Sequence, residues 1–201
     1  MKIICYGDSN TYGYDPVGRP ALRYPAEARW VDILAKHLQA DGSTETGSAE
    51  SGDAELGRTE SGSAAGMPEV SGVFNAGQNG REIPGNGWES AEGVAAQLAA
   101  ATEPGGGAGL AVGPAGDLII IMLGSNDVLL SSRTAEKTAE RMKRFLGAVK
   151  MEAPGRQLLL VAPVGFKEGY WVPEQRFIEE SEMLSELYRQ LAEEKIGRAH
   201  V

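Results

Sequence analysis

Two nearly continuous apolar runs constrain the fold of this chain more than any other feature of its sequence. Residues 118–123 read LIIIML, and residues 158–162 read LLLVA. Runs without alternating polar positions are typical of parallel strands that are buried on both faces of a sheet. Two shorter strand candidates lie at 2–6 and 70–74. The sequence therefore predicts a mostly parallel sheet.

A helical pattern follows each strand candidate. Pro25 suits the start of the first helix. Alternation of strands and helices implies right-handed crossovers, so we predict an α/β fold with a doubly wound parallel sheet, flavodoxin-like, in three α/β/α layers. The apolar stripes and the Ala-rich segment that indicate the helices lie within 30–38, 88–101, 142–149 and 177–191.

The length of 201 residues suits one domain, which we place at 1–195. Two segments interrupt its pattern. Residues 43–62 repeat the units STETG, SAESG, DAELG and RTESG, and 104–116 is rich in glycine. We expect 41–69 to be a disordered acidic insertion, because Leu56 is the one large apolar side chain within 41–66. We expect 104–116 to be a flexible loop.

The composition excludes several classes of function. A net charge of −9 argues against a nucleic-acid partner, since phosphate binding needs clustered Lys and Arg. A single cysteine allows no internal disulfide and no CxxC site, which favours a reducing, cytoplasmic setting. No apolar run approaches the roughly 20 residues of a membrane span, so we expect no membrane partner. We expect no metal or cofactor, and a homo-oligomer is left open.

Polar, glycine-containing loops follow three of the strand candidates, at 7–10 (GDSN), 75–81 (NAGQNGR) and 124–127 (GSND). Ligands of doubly wound sheets bind at the carboxyl ends of the strands, so we expect the three loops to meet. Ser9 is the candidate nucleophile, because a serine on a glycine-flanked turn after a strand exposes its hydroxyl and aims its N–H at an attacked carbonyl. Taken alone, Ser9 equally suits a helix N-cap.

The three blocks in this order resemble those of the SGNH hydrolases, also called the GDSL esterases and lipases. Arg23-Tyr24-Pro25, Arg29-Trp30 and the run 118–127 are similar to the arylesterase and acyltransferase branch of that family. The resemblance extends from residue 1 to about 194. It implies a serine ester hydrolase that acts on short acyl esters through an acyl-enzyme intermediate, with acyl transfer to alcohols as a variant and a small-molecule ester as partner.

The resemblance also implies which residues bind the oxyanion of the tetrahedral intermediate. The backbone N–H of Gly80 and the side-chain amide of Asn126 match the family's donors, and Gly77 is the competing choice for the backbone donor. Removing one such donor costs roughly 3 to 4 kcal/mol of transition-state stabilisation. Asp8 and Asp127 are expected to support the turns, and Asn126 and Asp127 also suit a purely structural Asx turn.

The general base is missing from the expected place. His37 lies within the first helix, and His200 is the penultimate residue, with no Asp near it, since the last Asp is Asp127. The family's base belongs to a late Asp-x-x-His block. We therefore expect the chain to be truncated before that block, without the final strand and helix, with 196–201 a non-native tail and the chain itself inactive. A non-catalytic α/β binding module for an acyl or carbohydrate ligand is the alternative.

Overall fold

A five-stranded parallel sheet forms the centre of the protein. A computed structural model describes residues 1–18, 22–40, 45–46, 70–85, 89–100, 117–169, 172 and 174–196. The strand order is β2-β3-β1-β4-β5. The strands are β1 Lys2–Gly7, β2 Glu45–Thr46, β3 Gly72–Gly77, β4 Leu118–Met122 and β5 Gln157–Leu160.

Helices connect the strands and cover the sheet. Thr134 begins the longest crossover helix in the usual way, since its hydroxyl oxygen accepts a hydrogen bond from the Lys137 N–H at 3.4 Å. The helices are α1 Ser9–Tyr12, a 3-10 turn at Ala26–Ala28, α2 Trp30–Ala40, α3 Ala91–Ala100, α4 Ser125–Leu129, α5 Ala135–Glu152 and α6 Gln175–Lys195.

Alternate residues of β1 enter two separate apolar cores. Ile4 and Tyr6 pack with α3, α5 and α6 on one face of the sheet. Ile3 and Cys5 pack with α2 on the other face. Because both faces are covered, the central strands are apolar throughout, as their sequence indicates. The predicted class, a doubly wound α/β fold in three layers, is confirmed.

Several element boundaries differ from the sequence prediction. Strand β3 begins two residues later than expected and continues to Gly77, because β1 pairs with it along its whole length. Strand β5 ends at Leu160 and not at 162. Pro25 precedes the 3-10 turn, and α2 begins only at Trp30.

The interrupting segments lie largely outside the described residues. Within 41–69, predicted to be a disordered insertion, Glu45–Thr46 forms β2, which pairs with Gly72 and Val73 of β3. The parallel edge of β3 offers backbone hydrogen bonds that even a polar segment can use. The remainder of 41–69, the loop 104–116 and residues 197–201 are outside the described part.

Candidate active site

The three motif loops leave the sheet side by side. Gly7 ends β1 and is in register with Gly77 of β3 and with Met122 of β4. Since β1 lies between β3 and β4, the loops that follow these strands are neighbours at the carboxyl edge. A contact of 3.5 Å from the Asn10 side-chain amide to the Ser125 hydroxyl joins the first loop to the third. The structure thus brings together the segments that the sequence singles out.

Ser9 is the first residue of α1 and is half-buried at this edge. Its helix is capped by Asp8, whose Oδ1 accepts hydrogen bonds from the Asn10 backbone N–H at 2.9 Å and from Asn10 Nδ2 at 3.1 Å. Burial raises the pKa of the Asp8 carboxyl, and these hydrogen bonds oppose the rise. The cap is therefore Asp8 and not Ser9, so capping does not occupy the Ser9 hydroxyl.

Asn126 lies in the first turn of α4 and is 8% exposed. Its Nδ2 donates to the backbone C=O of Arg81 at 2.9 Å. A side-chain amide carries two N–H donors, so this bond orients the group and leaves a second N–H for another acceptor. The bond also connects the third motif loop to the second.

The two glycines proposed as backbone donors have different surroundings. The Gly77 N–H donates to Asn75 Oδ1 at 2.9 Å, and a Cβ on Gly77 would lie 2.1 Å from the backbone N of Tyr12. Gly77 is thus required by close packing of α1 on β3. Gly80 is exposed, has a φ of 74° with open space around a Cβ, and its N–H donates to no described residue. Of these two N–H groups, that of Gly77 has an acceptor and that of Gly80 has none among the described residues.

Asp127 is fully buried and connects three elements. Its Oδ2 accepts a hydrogen bond from the Ile83 N–H at 2.9 Å, and its Oδ1 lies 2.9 Å from Arg141 Nε on α5. Arg133 is at 3.5 Å. Burial raises the pKa of the Asp127 carboxyl, and the Ile83 N–H and the Arg141 guanidinium lower it in part. These contacts join the turn that carries Asn126 to the segment at Ile83 and to α5.

Two residues not predicted as site residues also hold the motif loops: Arg81, which ends the second loop, and Tyr188 of α6. Arg81 donates from its guanidinium to the C=O of Gly7 at 2.9 Å. Tyr188 of α6 is buried, and its hydroxyl donates to the C=O of Leu123 at 3.0 Å, directly before the third loop. Burial raises the pKa of Tyr188 well above its usual range. The position next to Gly80 could have suggested Arg81, whereas Tyr188 fits an ordinary apolar helix stripe.

The structure does not bring a described histidine to the loops. His37 is exposed in the last turn of α2. A crossover helix runs antiparallel to its strands, so this turn lies toward the opposite edge of the sheet. His200 is outside the described residues. Sequence and structure therefore agree that His37 is not beside Ser9.

Other chemistry at this edge is limited in the part of the chain that the structure describes. No group of three or more His, Cys, Asp or Glu side chains there could hold a metal ion. Cys5 is buried within β1, and burial raises its pKa to about 12, so the thiolate nucleophile is disfavoured. None of the described helices is both long and apolar enough to cross a bilayer.

Several solved structures share this architecture, and two of them are described as follows. A carbohydrate acetylesterase family member from Sinorhizobium meliloti is 24% identical with a TM-score of 0.66, over 99% of this chain and 81% of that one. The aryl esterase of M. smegmatis is 22% identical with a TM-score of 0.59, over 96% and 79%. None of the curated proteins compared with the chain matches it.

The family comparison covers almost the whole chain. Residues 5–200 match the model of the GDSL-like lipase/acylhydrolase family. The match includes all three motif loops and confirms the resemblance predicted from them. The chain therefore belongs to the GDSL-like lipase/acylhydrolase family of ester hydrolases.

Proposed function

We propose that the protein is a serine ester hydrolase of the SGNH type, which acts on short acyl esters through an acyl-enzyme intermediate. One observation carries the proposal. Ser9 begins α1 at the sheet edge, its hydroxyl is not used by the Asp8 cap, and the loops of Gly80 and Asn126 adjoin it. A nucleophile between two donor loops is the arrangement that acyl transfer requires.

In this reaction the Ser9 Oγ bonds to the acyl carbon and its proton passes to a base. The carbonyl oxygen becomes an oxyanion, which accepts hydrogen bonds from the N–H groups of Ser9 and Gly80 and from Asn126 Nδ2. Collapse of the tetrahedral intermediate breaks the bond to the alcohol, which leaves with a proton. Water then attacks acyl-Ser9 by the same steps and releases the acid. An alcohol in place of water would give acyl transfer.

Hydrogen bonds to the oxyanion are the main transition-state stabilisation that Ser9, Gly80 and Asn126 can supply. A preorganised donor contributes about 3 to 4 kcal/mol to the transition state, because it is already oriented when the charge develops. Asn126 is held by its bond to Arg81 and has a second N–H for the oxyanion. Gly80 is exposed, has a positive φ, and its N–H donates to no described residue, so this N–H is left for a substrate oxygen.

We expect the 201-residue chain to turn over slowly. No histidine among the described residues lies at the motif loops, and loss of the base cost a serine protease about a millionfold in turnover. His200→Ala tests whether that residue, which lies outside the described part, contributes a base. An unchanged turnover in H200A is the expected result, and a large loss would overturn the expectation of slow, base-free turnover.

Acylation of Ser9 tests the proposal without depending on turnover. An activated ester, p-nitrophenyl acetate, is added in excess and the acetylated protein is followed by intact-mass and peptide mass spectrometry. Because p-nitrophenolate leaves readily without protonation, whereas attack of water on the acyl group still needs a base, acylation should outrun deacylation and acetyl-Ser9 should accumulate. Ser9→Ala should abolish the adduct, Asn126→Ala should slow it by about 10² to 10³-fold, and Ser71→Ala, an exposed serine before β3, should leave it unchanged.

The same experiment separates the proposal from the alternative. If Ser9 is never acetylated above the rate of the urea-unfolded chain, the hydrolase proposal is overturned. Saturable binding of an acylated sugar without an adduct would then support a binding module. Since the similar structures include a carbohydrate acetylesterase family member and an aryl esterase, acetylated sugars and aryl esters are the first substrates to compare.

A further inference from the structure

The side chain of Arg81 folds back beneath its own loop. Its Nη1 donates to the C=O of Gly7 at 2.9 Å and to the C=O of Ala76, and its Nη2 donates to Gln78 Oε1 at 2.8 Å. The guanidinium carbon lies 4.3 Å from the centre of the Tyr6 ring. The group is therefore fixed by the ends of both β1 and β3 and by an aromatic face.

The backbone of the same residue fixes the third motif loop. The Arg81 C=O accepts the hydrogen bond of Asn126 Nδ2 at 2.9 Å. Arg81 directly follows Gly80, and Gly7 precedes Ser9 by two residues. One residue thus contacts or adjoins the three segments that carry the nucleophile and both proposed oxyanion donors.

The second motif loop, 75–81, makes another hydrogen bond to the Gly7 carbonyl. The Gly7 C=O accepts a hydrogen bond from the Gln78 N–H at 3.1 Å as well as the one from Arg81. The turn 78–81 is therefore anchored to the end of β1 at both of its ends. Since Gly80 lies inside this turn, its N–H direction depends on the Arg81 anchor.

Only a guanidinium satisfies these acceptors together. Its planar fork carries five N–H donors in fixed directions and keeps its charge at any working pH. A lysine ammonium at the end of a flexible chain is a point charge and cannot span two carbonyls, the Gln78 oxygen and a ring face at once.

We propose that Arg81 is a positioning residue of the oxyanion site: it holds the Gly80 N–H and, through its own carbonyl, Asn126 Nδ2 in fixed directions relative to Ser9. The inference rests on the proposed function of Ser9, Gly80 and Asn126. Arg81 contacts no reacting atom in this role. Its loss should lower the rate of the chemical step and leave ester binding unchanged, because a displacement of about 1 Å in a site costs about 10²-fold in rate.

The test is the acylation of Ser9 by p-nitrophenyl acetate at a series of ester concentrations. Arg81→Lys, which keeps the charge, and Arg81→Ala should lower the maximal acylation rate by about 10 to 10²-fold, with the half-saturating ester concentration unchanged. The matched control is Arg176→Ala, since Arg176 also stacks on an aromatic ring, that of Phe177 at 4.2 Å, on α6. It should acylate at the wild-type rate.

A double variant shows whether Arg81 acts through the donors. If it does, Arg81→Lys in an Asn126→Ala background should slow acylation by less than it does in the wild type. Circular dichroism and thermal unfolding show whether each variant is folded. If Arg81→Ala does not fold, the acylation rate of Arg81→Lys alone tests the inference.

Failure of the inference and failure of the proposed function give different results. Equal acylation rates for wild type and Arg81→Lys, with acetyl-Ser9 still formed, would overturn the role of Arg81 alone. Full additivity of the double variant, or a change confined to the half-saturating concentration, would do the same. Absence of acetyl-Ser9 in the wild type would instead overturn the proposed function.

Discussion

Replacing Asp127 by Asn should destabilise the protein by about 3 to 5 kcal/mol. The Asp127 side chain is completely buried, that of Arg141 is 10% exposed, and Arg141 Nε lies 2.9 Å from Oδ1. Removing one partner of a buried pair costs about this amount, because the remaining charge has lost its compensation. The Asn oxygen can still accept from the Ile83 N–H, and Arg133, at 3.5 Å, is farther from the carboxylate than Arg141 and contributes less.

The effect is large relative to the expected stability of the domain. Domains are stable by about 5 to 15 kcal/mol, so the variant loses a third or more of that margin at typical values. With about 2 to 4 °C per kcal/mol for a domain of this size, the unfolding temperature should fall by about 6 to 20 °C. Equilibrium urea unfolding at neutral pH, followed by circular dichroism, measures the free energy directly.

Two further variants test whether the loss in Asp127→Asn comes from the buried ion pair. Glu186→Gln removes the carboxylate of an exposed pair with Arg189 on α6 and should change the unfolding free energy little. Arg141→Met combined with Asp127→Asn should cost less than the two single changes together, since the pair is removed as a unit. A loss below about 1 kcal/mol in Asp127→Asn, with an unchanged urea dependence, would refute the buried ion pair as the connection between α5 and the third motif loop.

Three further predictions concern stability. Gly77→Ala should cost at least about 1 to 3 kcal/mol in urea unfolding, because its Cβ would lie 2.1 Å from a backbone nitrogen of α1, whereas Gly147→Ala in open space on α5 should stabilise by about 0.5 to 1 kcal/mol. Burial raises the pKa of Cys5 from 9.0 to about 12, so the thiol ionises at lower pH in the unfolded chain than in the folded protein. The unfolding free energy should therefore fall as pH rises from 9 toward 12, by about 1.4 kcal/mol per pH unit. Cys5→Ala should remove that part of the pH dependence. Tyr188→Phe should cost about 1 to 3 kcal/mol by calorimetry, because the buried Leu123 carbonyl loses its donor, and an unchanged unfolding temperature would contradict this.

The fold could be predicted from the sequence because its signals are local. Strands β1 and β4 are covered on both faces, and such strands are apolar at nearly every position. The loops after β1, β3 and β4 could be located because each follows directly on a strand and contains glycine and small polar residues. The parallel arrangement then brings those loops to one edge whatever the details of the side chains.

Local sequence patterns do not show which glycine N–H can act as the backbone donor to the oxyanion. The resemblance matches Gly80 to the family's donor and leaves Gly77 as the competing choice, and the structure adds a physical difference: α1 packs on Gly77, while a Cβ on Gly80 would meet open space. In the same way, Ser9 and Asp8 both suit a helix cap, and only the hydrogen bond to the Asn10 N–H assigns the cap to Asp8.

The amino-acid sequence by itself determined the α/β class, the sites of the three loops and the serine among them, since these depend on burial period and turn chemistry within a few residues. Tertiary structure decided which polar groups meet. Asp127 and Ile83 are 44 residues apart, and Tyr188 and Leu123 are 65 apart. Such pairs form only when helices pack on the sheet at a particular distance, and a local pattern of residues does not specify that distance.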